Sequence, residues 1–140
     1  MINSIILSSN KILEFVNLMV NKRGIEITHI DIDKGIRFLG KINKKINSSF
    51  RGSIFIKEVN ENVLLLESKD LSINRLGFFN LSNNFILKTA ANIIGENYFK
   101  VDGENIIIDL DKLTIEIKDV YIKDKLLYIT GSNIDSNLNA

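Results

Sequence analysis

The chain has no cysteine, no proline and no tryptophan, and His29 is the single histidine among its 140 residues. Each absence removes a class of chemistry. Without cysteine there are no disulfides, thiolate metal sites or cysteine nucleophiles, a composition that fits a reducing compartment. One imidazole cannot build a His-rich metal cluster, so catalytic chemistry is poorly provisioned and no cofactor is implied. Eighteen Lys and Arg against 17 Asp and Glu leave a formal net charge of +1, so no global field steers nucleic acid, and aromatics at 8% are sparse. No apolar run approaches the roughly 20 residues of a membrane span. The opening "MINSIILSSNKILEFVNLMV" lacks a basic leader and a small-residue cleavage site. The expectation is a cytoplasmic protein with one domain over 1–132 and a disordered tail over 133–140.

What is present is mostly hydrophobic periodicity. "SIILSS" reads as a strand. In "NKILEFVNLMVNKRG" the residues Ile12, Leu13, Phe15, Val16, Met19 and Val20 recur at helical spacing, with Asn10 as the expected cap and Gly24 as the stop. From Ile25 the period becomes two. Ile25 and Ile27, then Ile30 and Ile32, share a face, with a phase slip at Thr28 and His29 that predicts a bulge. "DKG" at 33–35 turns the chain and Ile36, Phe38, Gly40 and Ile42 return. "FRGSIFIKEV" and "VLLLESKDLSI" form a second hairpin around 60–62. After residue 97, "YFKV", "NIIIDLDKL", "TIEIKDVYI" and "LLYITG" read as four more strands in hairpins, with a slip between Ile117 and Val120.

Between the second and third hairpins lies "RLGFFNLSNNFILKTAANIIGE", residues 75–96, with Lys88 as the sole charge between Arg75 and Glu96. Its apolar residues fit a second helix, capped by Asn80 or Ser82 and ended near Gly95, that has no charged face and therefore needs cover on both sides. A sheet curled around it supplies that cover. Two readings stand: a helix enclosed by its own sheet, or an apolar slot completed by an acyl chain, each buried methylene contributing about 0.8 kcal/mol. Phe78 and Phe79 belong either to the mouth of the slot or to a hydrophobic staple. The expected class is α+β, a strongly curved, largely antiparallel sheet wrapped around two helices.

The order of elements, with "GIRFLGKINKKINSSFRGSIFIKEVNENVLLLE", a helix after "LGFF", then "KVDGENIIIDLDKL" and "IEIKDVYIKDKLLYI", resembles the bacterial members of the TULIP superfamily, the tubular lipid-binding proteins, over residues 2 to 132. The resemblance implies an apolar tube holding lipid tails and no catalysis. The lining it implies is Phe38, Phe50, Ile54, Ile56, Phe85, Ile86, Ile93 and Ile94, with Phe78 and Phe79 beside them.

Seven basic residues and no acid fall between Lys34 and Lys57, and period two places Arg37, Lys41 and Lys45 on one face, opposite Ile36, Phe38 and Ile42. With Arg51 they form either a solvated outer face or a strip contacting lipid head groups or other phosphates. With few aromatics between the cations, nucleic acid is disfavoured against an anionic membrane surface. Asp31 with Asp33, and Asp109 with Asp111, could share a divalent ion, but both pairs sit beside turns, where aspartate bonds the local backbone. The competing function is a protein-interaction or assembly subunit, joining another chain or a second copy through the apolar helix surface or a strand edge.

Overall fold

The computed structural model describes residues 3–42, 48–60, 62–75, 98–112 and 116–132. Among them are nine strands and one α-helix: β1 (Asn3–Leu7), α1 (Ser9–Val20), β2 (Ile25–Ile32), β3 (Ile36–Ile42), β4 (Ser48–Val59), β5 (Val63–Arg75), β6 (Phe99–Asp102), β7 (Asn105–Asp109), β8 (Glu116–Lys123) and β9 (Leu126–Ser132). The cap of α1 is Ser8, two residues before the expected Asn10. Its extended backbone lets the hydroxyl accept from the Lys11 N–H at 3.3 Å. A short 3₁₀ turn, Asn21–Arg23, follows, and Gly24 ends it in the left-handed region with φ 76°.

The strands divide into two open, all-antiparallel sheets, one of order β1-β9-β8 and one of order β2-β3-β4-β5-β7-β6. Extra residues are absorbed in bulges that keep the apolar set on one face. Thr28 is looped out between Ile27 and His29, with its hydroxyl on the Leu39 carbonyl at 3.2 Å. In β5 the pairing shifts opposite Gly52, and Asp70 takes φ 55°, so that Leu71 and Ile73 regain the side held by Leu64 and Leu66. The slip read between Ile117 and Val120 is a third such irregularity.

The inner face of the three-stranded sheet packs on one part of the larger sheet. Ile5, Leu7, Ile117, Val120 and Leu127 meet Ile32 and Leu64, with Ile12 of α1 and Leu110 closing the cluster. Ile32 is the most enclosed aliphatic side chain among the described residues, 1% exposed. The C-terminal half of α1 covers another part of the same sheet, where Val20 packs with Ile25 and Ile27 and, around them, Phe38, Ile42 and Phe50. Ser68, fully buried in β5, is satisfied by the β6–β7 turn: its backbone N–H and its hydroxyl both donate to the Glu104 carbonyl, at 2.8 and 3.0 Å.

This architecture corrects the expected class. The fold is predominantly β, and among the described residues there is one α-helix rather than two, with no single curved sheet rolled around a helical pair and no closed barrel. The reason is the pairing of β1 with β9. It gathers the first and last described strands, with β8, into a sheet of their own, so the core is filled sheet against sheet, and α1 lies beside β2 instead of inside a tube. The second helix, read over 83–94, and the tail 133–140 lie outside the described residues.

The free side of β2 is closed by a side chain. Asn17 of α1 donates from Nδ2 to the Ile27 carbonyl at 2.9 Å and accepts from the Ile27 N–H on Oδ1 at 2.7 Å, so its amide stands in for the peptide group of a neighbouring strand. Asn17→Ala removes both bonds and is expected to destabilise the fold by about 1–3 kcal/mol. Urea denaturation gives the loss, and amide hydrogen exchange is expected to accelerate at Ile27 before it does at Ile32.

Candidate functional site

Period two sends Ile36, Phe38, Gly40 and Ile42 of β3 inward and Arg37, Leu39 and Lys41 outward, and all three outward side chains are exposed. In β4 the matching outward residues are Ser49, Arg51 and Ser53. The register places Arg51 directly opposite Leu39, and His29 opposite Leu39 on its other side. Leu39, 40% exposed, is therefore the centre of a cross. Arg37 and Lys41 lie along the strand, roughly 7 Å away on either side. Arg51 and His29 lie across it, about 5 Å away between Cβ atoms.

The electrostatics of this face are uneven. Toward β5 the charges neutralise one another: Glu67 is 3.5 Å from both Lys57 and Lys69, and the Lys69 ammonium sits 5.0 Å from the centroid of the Phe55 ring. Around Leu39 no ion pair closes among the described residues. Asp31 and Glu26 stand opposite Arg37 and Lys41 in register, yet neither pair closes to an ion pair, and Arg51 makes one neutral bond, from Nε to the Ser72 hydroxyl at 3.2 Å. Three cations are thus left facing outward around one apolar side chain.

The structure places Arg37 and Lys41 on the outer face of β3 and Arg51 beside them on β4, and Lys45 lies outside the described residues. Leu39 was not singled out in the sequence. Its signal was there: it occupies the outward phase of β3, between two cations.

The apolar positions fall differently. Phe78, Phe79, Phe85, Ile86, Ile93 and Ile94 lie outside the described residues. Phe38 and Phe50 are half-buried in the cluster with α1, ring centroids 6.1 Å apart and planes tilted by 59°. Each pairs with a glycine of the other strand, Phe38 with Gly52 and Phe50 with Gly40. A Cβ on Gly40 would run into the Phe50 ring, and one on Gly52 would run into Leu71 Cδ2 and reach Phe38 Cζ at 2.9 Å. The rings occupy the room the glycines leave. Ile56 packs on the main core, and Ile54, half-buried, sits between Ile36 and Ser68 in register.

His29 Nδ1 lies 3.2 Å from the Thr28 hydroxyl, the local contact of a bulge residue. Asp109 Oδ1 accepts from the Asp111 N–H at 3.1 Å, so that pair serves its turn. Among the described residues no group of three or more His, Asp or Glu side chains converges on a metal-sized site, and no helix is long and apolar enough to cross a membrane. Comparison with protein-family models, curated proteins and solved structures finds no match to the chain.

The glycine–ring packing is open to direct measurement. Gly52→Ala is expected to cost about 1–3 kcal/mol by overpacking against Leu71 and Phe38. Combined with Leu71→Ala, the loss is expected to fall below the sum of the single losses by on the order of 1 kcal/mol, read from urea denaturation of the four chains in the cycle.

Proposed function

We propose that this protein is a binding module that docks on an anionic lipid surface through the outer face of β3 and β4. The observation that carries the reading is the cross around Leu39, in which Arg37, Lys41 and Arg51 face outward and none of them closes an ion pair among the described residues. Bilayers recognise such a patch. Each cation near an anionic leaflet contributes about 1 kcal/mol, and a central aliphatic side chain gains by entering the headgroup boundary once the charges have brought it there. A sheet face presents these groups in one plane, so they can touch a flat surface together. The cytoplasmic leaflet, where anionic lipids concentrate, is the surface this composition suits.

Contact here is with head groups. The pairing of Phe38 and Phe50 with Gly52 and Gly40 gives those rings partners within the chain, which favours a docking face over an acyl slot at that position.

The test is co-sedimentation with vesicles of phosphatidylcholine with and without phosphatidylserine. Binding is expected to need the anionic lipid and to weaken with added salt as the Debye length shortens. Changing Arg37, Lys41 and Arg51 together to Gln is expected to lower partitioning on the order of 100-fold, three losses of about 1 kcal/mol each. Leu39→Ser is expected to weaken binding to anionic vesicles while leaving its salt dependence in place. Equal binding to neutral vesicles, or a triple variant that binds as well as the parent, excludes the proposal.

A further inference from the structure

The three-stranded sheet ends in β8, which among the described residues pairs only with β9. The β8–β9 hairpin turns on Asp124 and Lys125, both with positive φ (52° and 62°), the signature of a two-residue type I′ turn. In that geometry Lys123 and Leu126 exchange both backbone bonds, and the alternation of antiparallel pairs then fixes the rest. Tyr121 directs its N–H and C=O to β9, while Val120 and Ile122 direct theirs to the free side. The Val120 N–H is held there by a neighbour's side chain, Asp119 Oδ1, at 2.9 Å.

The side chains along this edge are complementary in charge to their own reverse. Asp119, Tyr121 and Lys123 are exposed on the outer face, with Val120 and Ile122 facing the core side between them. If a second β8 runs antiparallel with its two-fold axis at Tyr121, Asp119 meets Lys123 of the other copy at both ends, Tyr121 meets Tyr121, and Val120 meets Ile122 on the inner face. Val120 and Ile122 are also the residues whose backbone groups point outward. One register therefore satisfies the hydrogen bonds, the charges and the inward and outward alternation at once.

The other edges lack this match. β2 is clamped by Asn17, β6 has four residues, and β1, "NSIIL", carries no charge to set a register. Tyr121 is prepared for its place: it is 39% exposed, and its ring stacks on Tyr128 at 5.0 Å with planes 3° apart, which fixes its orientation before any partner arrives.

We infer that β8 is a self-association edge, at which two copies pair antiparallel about Tyr121 and join their three-stranded sheets into one of six strands. On pairing, Asp119 exchanges the Val120 N–H for Lys123 of the second copy, and the Ile122 carbonyl of that copy takes the N–H. This association needs no lipid, so it stands or falls separately from vesicle docking.

Sedimentation velocity and native mass spectrometry of the full chain test it. A dimer is expected, and Lys123→Asp or Asp119→Lys alone, each placing like charges face to face, is expected to raise its dissociation constant by tenfold or more, about the effect of opposed like charges. Mixing the two variants is expected to restore association as a heterodimer, because every contact is again a Lys–Asp pair. The chain has no cysteine, so Tyr121→Cys introduces a unique thiol. It is expected to crosslink under mild oxidation, whereas Leu18→Cys on the exposed side of α1 is not. A chain that stays monomeric up to roughly millimolar concentration, or a dimer indifferent to both charge variants and to the position of the thiol, overturns the inference. The crosslinking arm decides the matter even if a charge variant fails to fold.

Discussion

The register between β3 and β4 is the constraint on which most of this molecule depends. Phe38 faces Gly52 and Phe50 faces Gly40, and in each pair a ring lies where the opposite residue has no side chain. Sliding one strand by a single residue would set Phe38 against Arg51 or Ser53 and Phe50 against Leu39 or Lys41, and would turn the inward set of the slipped strand toward water. The same alignment decides what solvent meets. Arg37, Leu39, Lys41 and Arg51 come together on the outside because Phe38, Gly40, Phe50 and Gly52 interlock on the inside. Core packing and the chemistry of the exposed face are one decision.

Bulges extend that decision along the sheet. A strand of 12 or 13 residues with uninterrupted period two would twist its apolar side away from a flat core, and β4 and β5 are that long. The irregularities opposite Gly52 and near Lys57 reset the phase, so that Ile56, Val59, Leu64, Leu66 and Leu71 all point inward despite the extra residues. The left-handed Asp70 is the local cost, and a short polar side chain is among the better choices for it.

Much of this was legible in the sequence, because period two and turn residues are local signals. The hairpins, helix α1 and the slips at Thr28 and beside Lys118 could all be read from a window of about ten residues. The division into two sheets could not. It rests on β1 meeting β9 across more than a hundred residues, and nothing in "SIILSS" names "LLYITG" as its partner over any other apolar strand. A curved sheet around helices was the reading that local pattern allowed, and strand pairing overruled it. The cap of α1 was misplaced for a related reason: Ser8 and Asn10 are both good caps by type, and the choice belongs to where β1 ends. For the outer face of β3 and β4, the cations were visible as a run with Leu39 between two of them, whereas their meeting with Arg51 and His29 emerged only from the strand register.

The clamp by Asn17 has a chemical lifetime. An amide can donate and accept, which is why one side chain serves both backbone groups of Ile27. Hydrolysis of that amide to a carboxylate, the ordinary ageing reaction of asparagine, would leave two acceptors and no donor. The Ile27 N–H would keep its acceptor, but the Ile27 carbonyl would lose its donor and face a negative charge, so half of the clamp depends on the amide nitrogen alone.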